Sequence, residues 1–142
     1  MSYTTQDDLV ERYGMDMMLG VADRAEPPAG TIDSDVVTRA IDDAGAAIDG
    51  YLKGRYALPL SATPALIRSL ALAISIYILH RDTVSEKIRR DYEDAIATLK
   101  QIANGTVRLD VAGVEPASSG ATGVQFSDRP RDMTPDNMKG FI

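Results

Sequence analysis

Residues 65–80 constrain this chain more than any other stretch, because as a helix they have no polar face. Leu66, Ile67, Leu70, Leu72, Ile74, Ile76, Tyr77, Ile78 and Leu79 point in nearly every direction around the axis. A helix without a wet side has to be surrounded. It predicts either the centre of a bundle or the floor of a contact between copies, and the residues leave both open. The most apolar part, residues 69–79, is far short of the roughly 20 residues that cross a bilayer, so no membrane partner is expected. Pro64 suits the first turn of this helix.

Helices are predicted on both sides of it. Asp33 is a good N-cap, Ser34 and Asp35 sit in the first turn, and Lys53-Gly54 closes the helix. Val37, Ile41, Ala44, Ile48, Tyr51 and Leu52 repeat with the helical period, and Asp42, Asp43 and Asp49 lie largely off that stripe. Gly45 and Gly50 each weaken a helix by roughly 1 kcal/mol against Ala, which points to close approach by a neighbouring element. Downstream, Thr83-Val84-Ser85-Glu86 has capping-box spacing. It precedes a stripe of Ile88, Tyr92, Ala95, Ile96, Leu99, Ile102 and Ala103 that Asn104-Gly105 stops. Lys87, Arg89, Arg90, Glu93, Asp94 and Lys100 mix signs as a solvated face does.

Near the start, Tyr3-Thr4-Thr5-Gln6-Asp7-Asp8-Leu9-Val10-Glu11-Arg12-Tyr13-Gly14 reads as a short helix. Thr4 or Thr5 caps it, and Gly14 supplies the stop. Residues 15–21 add a turn or two, and residues 24–31, with Pro27-Pro28 and Gly30, form a loop. Residues 106–111 alternate, predicting a short extended segment or strand. The fold class is therefore mainly all-α: a bundle of four to five helices over residues 1–112, followed by a long arm over residues 113–142.

The arm begins with a composition shift. Residues 113–123 are rich in Gly, Ser, Ala and Pro, as in a linker. Val124, Gln125, Phe126 and Ser127 make a brief apolar extended patch, residues 128–136 are polar and broken by Pro130 and Pro135, and the chain closes on Met138-Lys139-Gly140-Phe141-Ile142. About 30 residues of this kind bury too little apolar surface to offset their ordering entropy. They make sense against a partner, by strand addition or by filling a groove. The candidate anchors and their polar neighbours are Val124, Gln125, Phe126, Arg129, Arg131, Met138, Phe141 and Ile142.

Chemistry is hard to place on this chain. It has no Cys and one His, so thiolate sites and disulfides are excluded. His80 has no Gly-x-Ser-x-Gly elbow to serve, and it suits the end of a helix. Asp42/Asp43 and Asp91/Glu93/Asp94 lack the spacing of a calcium loop. No phosphate-binding glycine loop is present, so no cofactor, no metal and no catalytic residue is expected. Residues 1–54 carry 11 acidic and 4 basic side chains, whereas residues 55–112 carry 6 acidic and 8 basic. That asymmetry fits a solvated acidic face or a head-to-tail contact between copies. No clustered basic stripe supports DNA binding. There is no basic-then-apolar leader, which argues against a standard secretion signal.

One more stretch stands out. Lys53-Gly54-Arg55-Tyr56-Ala57-Leu58-Pro59-Leu60 places two cations and a Tyr at a tight helix exit. Either Tyr56, Leu58 and Leu60 staple neighbouring helices, or Arg55, Tyr56, Leu58 and Leu60 form a loop tip shown to a partner.

Taken in order, several stretches resemble the Mu-like prophage family named for the gene 36 product. They are Tyr3-Thr4-Thr5-Gln6-Asp7-Asp8-Leu9, the helix over 33–52 running into Gly54-Arg55-Tyr56-Ala57-Leu58-Pro59-Leu60, Pro64 before an apolar helix, and Arg90-Asp91-Tyr92-Glu93-Asp94-Ala95. Val124-Gln125-Phe126-Ser127-Asp128-Arg129-Pro130-Arg131 and Met138-Lys139-Gly140-Phe141 extend the likeness to the end of the chain. The family is similar in size and helical layout to head–tail connector (adaptor) proteins of tailed phages. The resemblance implies a structural virion protein made in the host cytoplasm. It implies a homo-oligomeric ring below the portal, dodecameric in the usual case. It further implies that the arm contacts a sister subunit, the portal, or a tail or second connector protein, and that DNA passes through the lumen without specific binding. A tail-completion or tail-terminator protein is the alternative, and a DNA-binding packaging protein a more distant one.

Overall fold

A computed structural model describes residues 1–111 of the chain. Its helices are α1 (Gln6–Tyr13), α2 (Met15–Ala22), α3 (Ser34–Leu52), α4 (Ala65–Leu79) and α5 (Glu86–Ala103). Among the described residues there is no strand; Thr106 and Val107 turn back on the end of α5, where both bond the Gln101 carbonyl, and residues 108–111 have no regular structure. The all-α expectation is met, whereas the strand offered for residues 106–111 does not form, because the first two of them close the turn after α5.

Local sequence accounts for most of the boundaries. The Thr5 hydroxyl accepts from the Asp8 N–H while the Asp8 carboxylate accepts from the Thr5 N–H, a reciprocal box at the start of α1. Although burial pushes the Asp8 carboxyl upward, the bonds from Thr5 and Thr4 outweigh it and hold it below the usual carboxylate range. Gly14, at φ +88°, ends α1 and starts α2, a backbone conformation that favours glycine. Asp33 caps α3 by accepting from the Asp35 and Val36 N–H groups.

The box predicted at Thr83 does not form. Val84 is half-buried against the core, and the extended residue that starts the helix is Ser85, at φ −61° and ψ 151°. The Ser85 hydroxyl then accepts from the Ile88 N–H at 3.3 Å, and Glu86 reaches forward to Arg90 instead of back.

Helices α3, α4 and α5 form an antiparallel three-helix bundle, with α1 and α2 lying across α3 and α4. The core has two lobes. One joins Ile48 and Leu52 of α3 to Ile67, Leu70 and Ile74 of α4 and to Leu99 and Ile102 of α5. The other joins Leu9 and Met18 to Val37 and Ile41 of α3, to Ile76 and Leu79 of α4, and to Ile88 of α5. α4 belongs to both, so the two readings of its apolar surface resolve in favour of the bundle centre. Ile67, Ile74, Ile76 and Leu79 are at most 1% exposed within a single chain, and full burial of each is worth about 1.5–3 kcal/mol. Tyr77 and Tyr92 stack across the α4–α5 seam with centroids 3.9 Å apart.

The two glycines of α3 part company. A Cβ at Gly45 would collide with the Met1 carbonyl, because the first residues of the chain cross α3 there. Ser2 bonds Asp42, and both the Tyr3 hydroxyl and the Met1 amino group reach Asp49. Gly50 faces open space.

Candidate functional site

The loop after α3 holds the exit of α5. The Arg55 guanidinium lies over Gly105, where a Cβ would sit 2.6 Å from its Cζ, and Gly105 itself has φ +80°. The positive φ favours glycine at that position, and a larger residue would also displace the guanidinium, the far end of a flexible side chain. Tyr56 is buried, and its hydroxyl accepts from the Leu109 N–H at 3.0 Å. Leu60 is buried, and the half-buried Leu58 packs on the same cluster as Val107 and Val111. Of the four candidate loop residues, Tyr56 and Leu60 thus face the core, and Arg55 and Leu58 are half-buried. The surface this loop turns outward is made by Lys53, Gly54, Ala57 and Pro59. These contacts hold the chain that follows α5 against the core as far as Val111. The arm residues Val124, Gln125, Phe126, Arg129, Arg131, Met138, Phe141 and Ile142, and the boundary at 112/113, lie outside the described residues.

A second feature is an open groove of about 620 Å³ between α4 and α5, closed at one end by α1 and α2. Its floor is apolar: Leu70 and Ala73 from α4, Ile88 and Ala95 from α5. Tyr13 and Met17 form the closed end, and Met17 is 38% exposed. The rim is charged. Lys87 pairs with Asp91 at 2.7 Å, and that bond raises the Lys87 ammonium above its usual range. Arg12 donates to the Ser69 hydroxyl across one end at 3.2 Å. Burial pushes the Tyr13 phenol up. The Asp94 carboxylate makes no ion pair among the described residues.

Other polar groups do not assemble into chemistry. The His80 Nδ1–H donates to the Ile76 carbonyl at 2.7 Å, so the ring closes the end of α4. It shares a cleft of about 460 Å³ with Asp82 and Thr83 but bonds neither of them. Arg24 donates to the Leu79 carbonyl at the same helix end, and burial, followed by Arg81 and Arg39, lowers its pKa. Asp91 is spent on Lys87, leaving Glu93 and Asp94 without a convergent third carboxylate. Among the described residues no group of three or more His, Asp or Glu is placed to hold a metal ion. No described helix is long and apolar enough to cross a membrane.

Periodicity assigns Lys87 and Asp94 to a solvated face and gives no sign of the groove they border. The trace it does leave is small residues at stripe positions, Ser69 and Ala73 opposite Ala95. Recognising these as a groove needs the lean of α1 and α2, which no local pattern encodes.

Similarity to known proteins bears on the purpose of such a body. The family described as Bacteriophage Mu, Gp36 matches residues 3–127. The "Mu-like prophage FluMu protein gp36" of Haemophilus influenzae is 30% identical over 140 residues, 99% of this chain and 98% of its own length. "Gene product J" of Escherichia phage Mu is 32% identical over 143 residues, the full length of both. With a family match across most of the chain and two relatives aligned from end to end, the chain belongs to the Bacteriophage Mu Gp36 family.

Proposed function

We propose that the chain is a non-enzymatic structural subunit of a tailed phage or prophage particle, a head–tail connector that forms a ring below the portal. The observation that carries this reading is the end-to-end match to proteins of phage Mu and a Mu-like prophage. The body fits the role: a closed helical bundle with no assembled catalytic group among its described residues, and a clamp at the root of its arm. In this reading the bundles sit side by side and the arm carries contacts to a sister subunit, the portal, or a tail or second connector protein. The lumen passes DNA without binding it specifically, and the acidic N-terminal half suits such a wall. A tail-completion protein is the nearest alternative. Such proteins are more often α/β, and a body without a strand among its described residues favours the connector.

Labelling is the direct test. An epitope tag on the exposed Lys53-Gly54 turn, imaged with gold in intact particles, is expected at the head–tail junction. Label confined to the tail tip or the capsid shell would overturn the connector role. A sequence-specific gel shift at physiological salt would move the protein to DNA packaging instead. Negative-stain imaging of the purified protein with portal is expected to show rings on the portal's tail side.

A further inference from the structure

We infer that the α4–α5 groove is the receptor for residues 124–131 of a second copy of this chain. The inference rests on the connector reading only in assuming that copies lie side by side.

Residues 124–131 call for a partner surface, and strand addition needs an exposed strand edge. The described residues contain no strand, so groove filling remains. The groove has the size of a site for a few side chains, about 620 Å³. Its floor of Leu70, Ala73, Ile88 and Ala95 is apolar, and the half-exposed Met17 is an adaptable wall for an aromatic ring. Leu66, 38% exposed, stands one turn before Leu70 on the same side of α4 and prolongs the apolar strip.

The segment matches this layout in order and in charge. In an extended segment Val124, Phe126 and Asp128 share one face, and Gln125, Ser127 and Arg129 share the other. With Val124 and Phe126 on the floor, Arg129 rises to the rim, where Asp94 has no ion-pair partner among the described residues. The family match ends at residue 127, just past Phe126, so the apolar pair lies inside the part of the arm that the family shares.

The place where the chain leaves the body favours a second copy as the donor. Leu109 is bonded to Tyr56, directly after α3, so the chain exits against the α3 side of the bundle. No α3 residue lines the groove, which opens on the other side of the α4–α5 layer. Residues 112–123 span at most roughly 40 Å. The segment's own groove lies within that span only by a path that rounds the bundle and runs back along α5, which stretches the linker. A neighbour lying beside the exit presents its groove within direct reach.

The chain has no Cys, so thiols exist only where they are placed. Thr98→Cys puts one on the groove wall at a half-exposed position whose hydroxyl bonds only its own helix, and Ser127→Cys puts one on the arm. The two variants are produced as separate full-length chains in one cell with all other particle proteins, then treated with a short bismaleimide. A heterodimer is expected from the mixture, and a ladder of multimers from the chain carrying both thiols. A single intramolecular product would overturn the second-copy assignment. No product in cells that complete particles would overturn the groove itself. D94R and R129D are each expected to lower the cross-linked yield roughly fivefold, and combining them to restore it; failure of the combination to restore the yield overturns the register. A ladder in particles whose label lies away from the head–tail junction keeps the groove and removes the connector role. Label at the junction without a ladder does the reverse.

Discussion

At the scale of single residues, Gly45 and Gly50 share a helix and predict opposite outcomes. Gly50 meets open space, so Gly50→Ala is expected to stabilise the protein by up to about 1 kcal/mol through helix propensity. Gly45→Ala drives a methyl into the Met1 carbonyl and displaces the segment that bonds Asp42 and Asp49. Overpacking of this kind costs about 1–3 kcal/mol, so urea denaturation should show a net loss. Sequence alone gives both glycines the same meaning, because the segment that crosses α3 comes from more than 40 positions away. Tyr3 carries a pH dependence. Burial, then the Asp49 carboxylate, raises its phenol above the ordinary 10.0. An unfolded chain ionises that phenol at about pH 10 while the folded chain keeps its proton. Stability is therefore complete below pH 10 and falls as pH rises beyond it. Tyr3→Phe is expected to be less stable at neutral pH, by about 1 kcal/mol for the lost bond, and to show a shallower alkaline loss in a pH series of thermal melts.

Among elements, the helix starts show where local rules suffice and where they fail. Asp33 and Thr5 cap the helices that their spacing predicts, because each side-chain oxygen needs only an N–H two or three residues on. Thr83 fails although its spacing is as good: the helix starts two residues later, with the half-buried Val84 against the core and Ser85 as the cap. Ser85→Ala is expected to lower stability by about 1 kcal/mol, and Thr83→Ala to change it by less than about 0.5 kcal/mol; thermal melts of the two variants separate these assignments. The lack of a polar face on α4 is legible in the sequence, but the identity of its neighbours is not. Enclosure depends on how α1, α2, α3 and α5 are arranged in space. The loop over residues 53–60 obeys the same logic. Its apolar spacing marks Tyr56 and Leu60 as residues with a task, and only the fold shows that Tyr56 receives Leu109 from the end of α5.

For the molecule as a whole, the clamp at residues 105–111 closes the described body, and the proposed arm begins beyond it. Deleting residues 113–142 is expected to leave the far-UV circular dichroism of the body helical and its melt cooperative, while ring or particle formation is impaired. Assembly at the level of the full chain would count against the arm as the contact-making part. The body was readable from periodicity and caps. The candidate site was not, because the groove is a product of packing and the clamp joins residues about 50 positions apart.

The enclosure of α4 within one chain has a consequence for timing. An element that a neighbour had to cover would tie folding to protein concentration, as in obligate dimers. Here the apolar helix is satisfied before any second copy arrives. With residues 113–142 removed, the melting temperature is accordingly expected to stay constant across a hundredfold range of concentration, which calorimetry checks. Folding of one chain then does not wait on another, and in the proposed ring any order of construction would be a matter of docking alone.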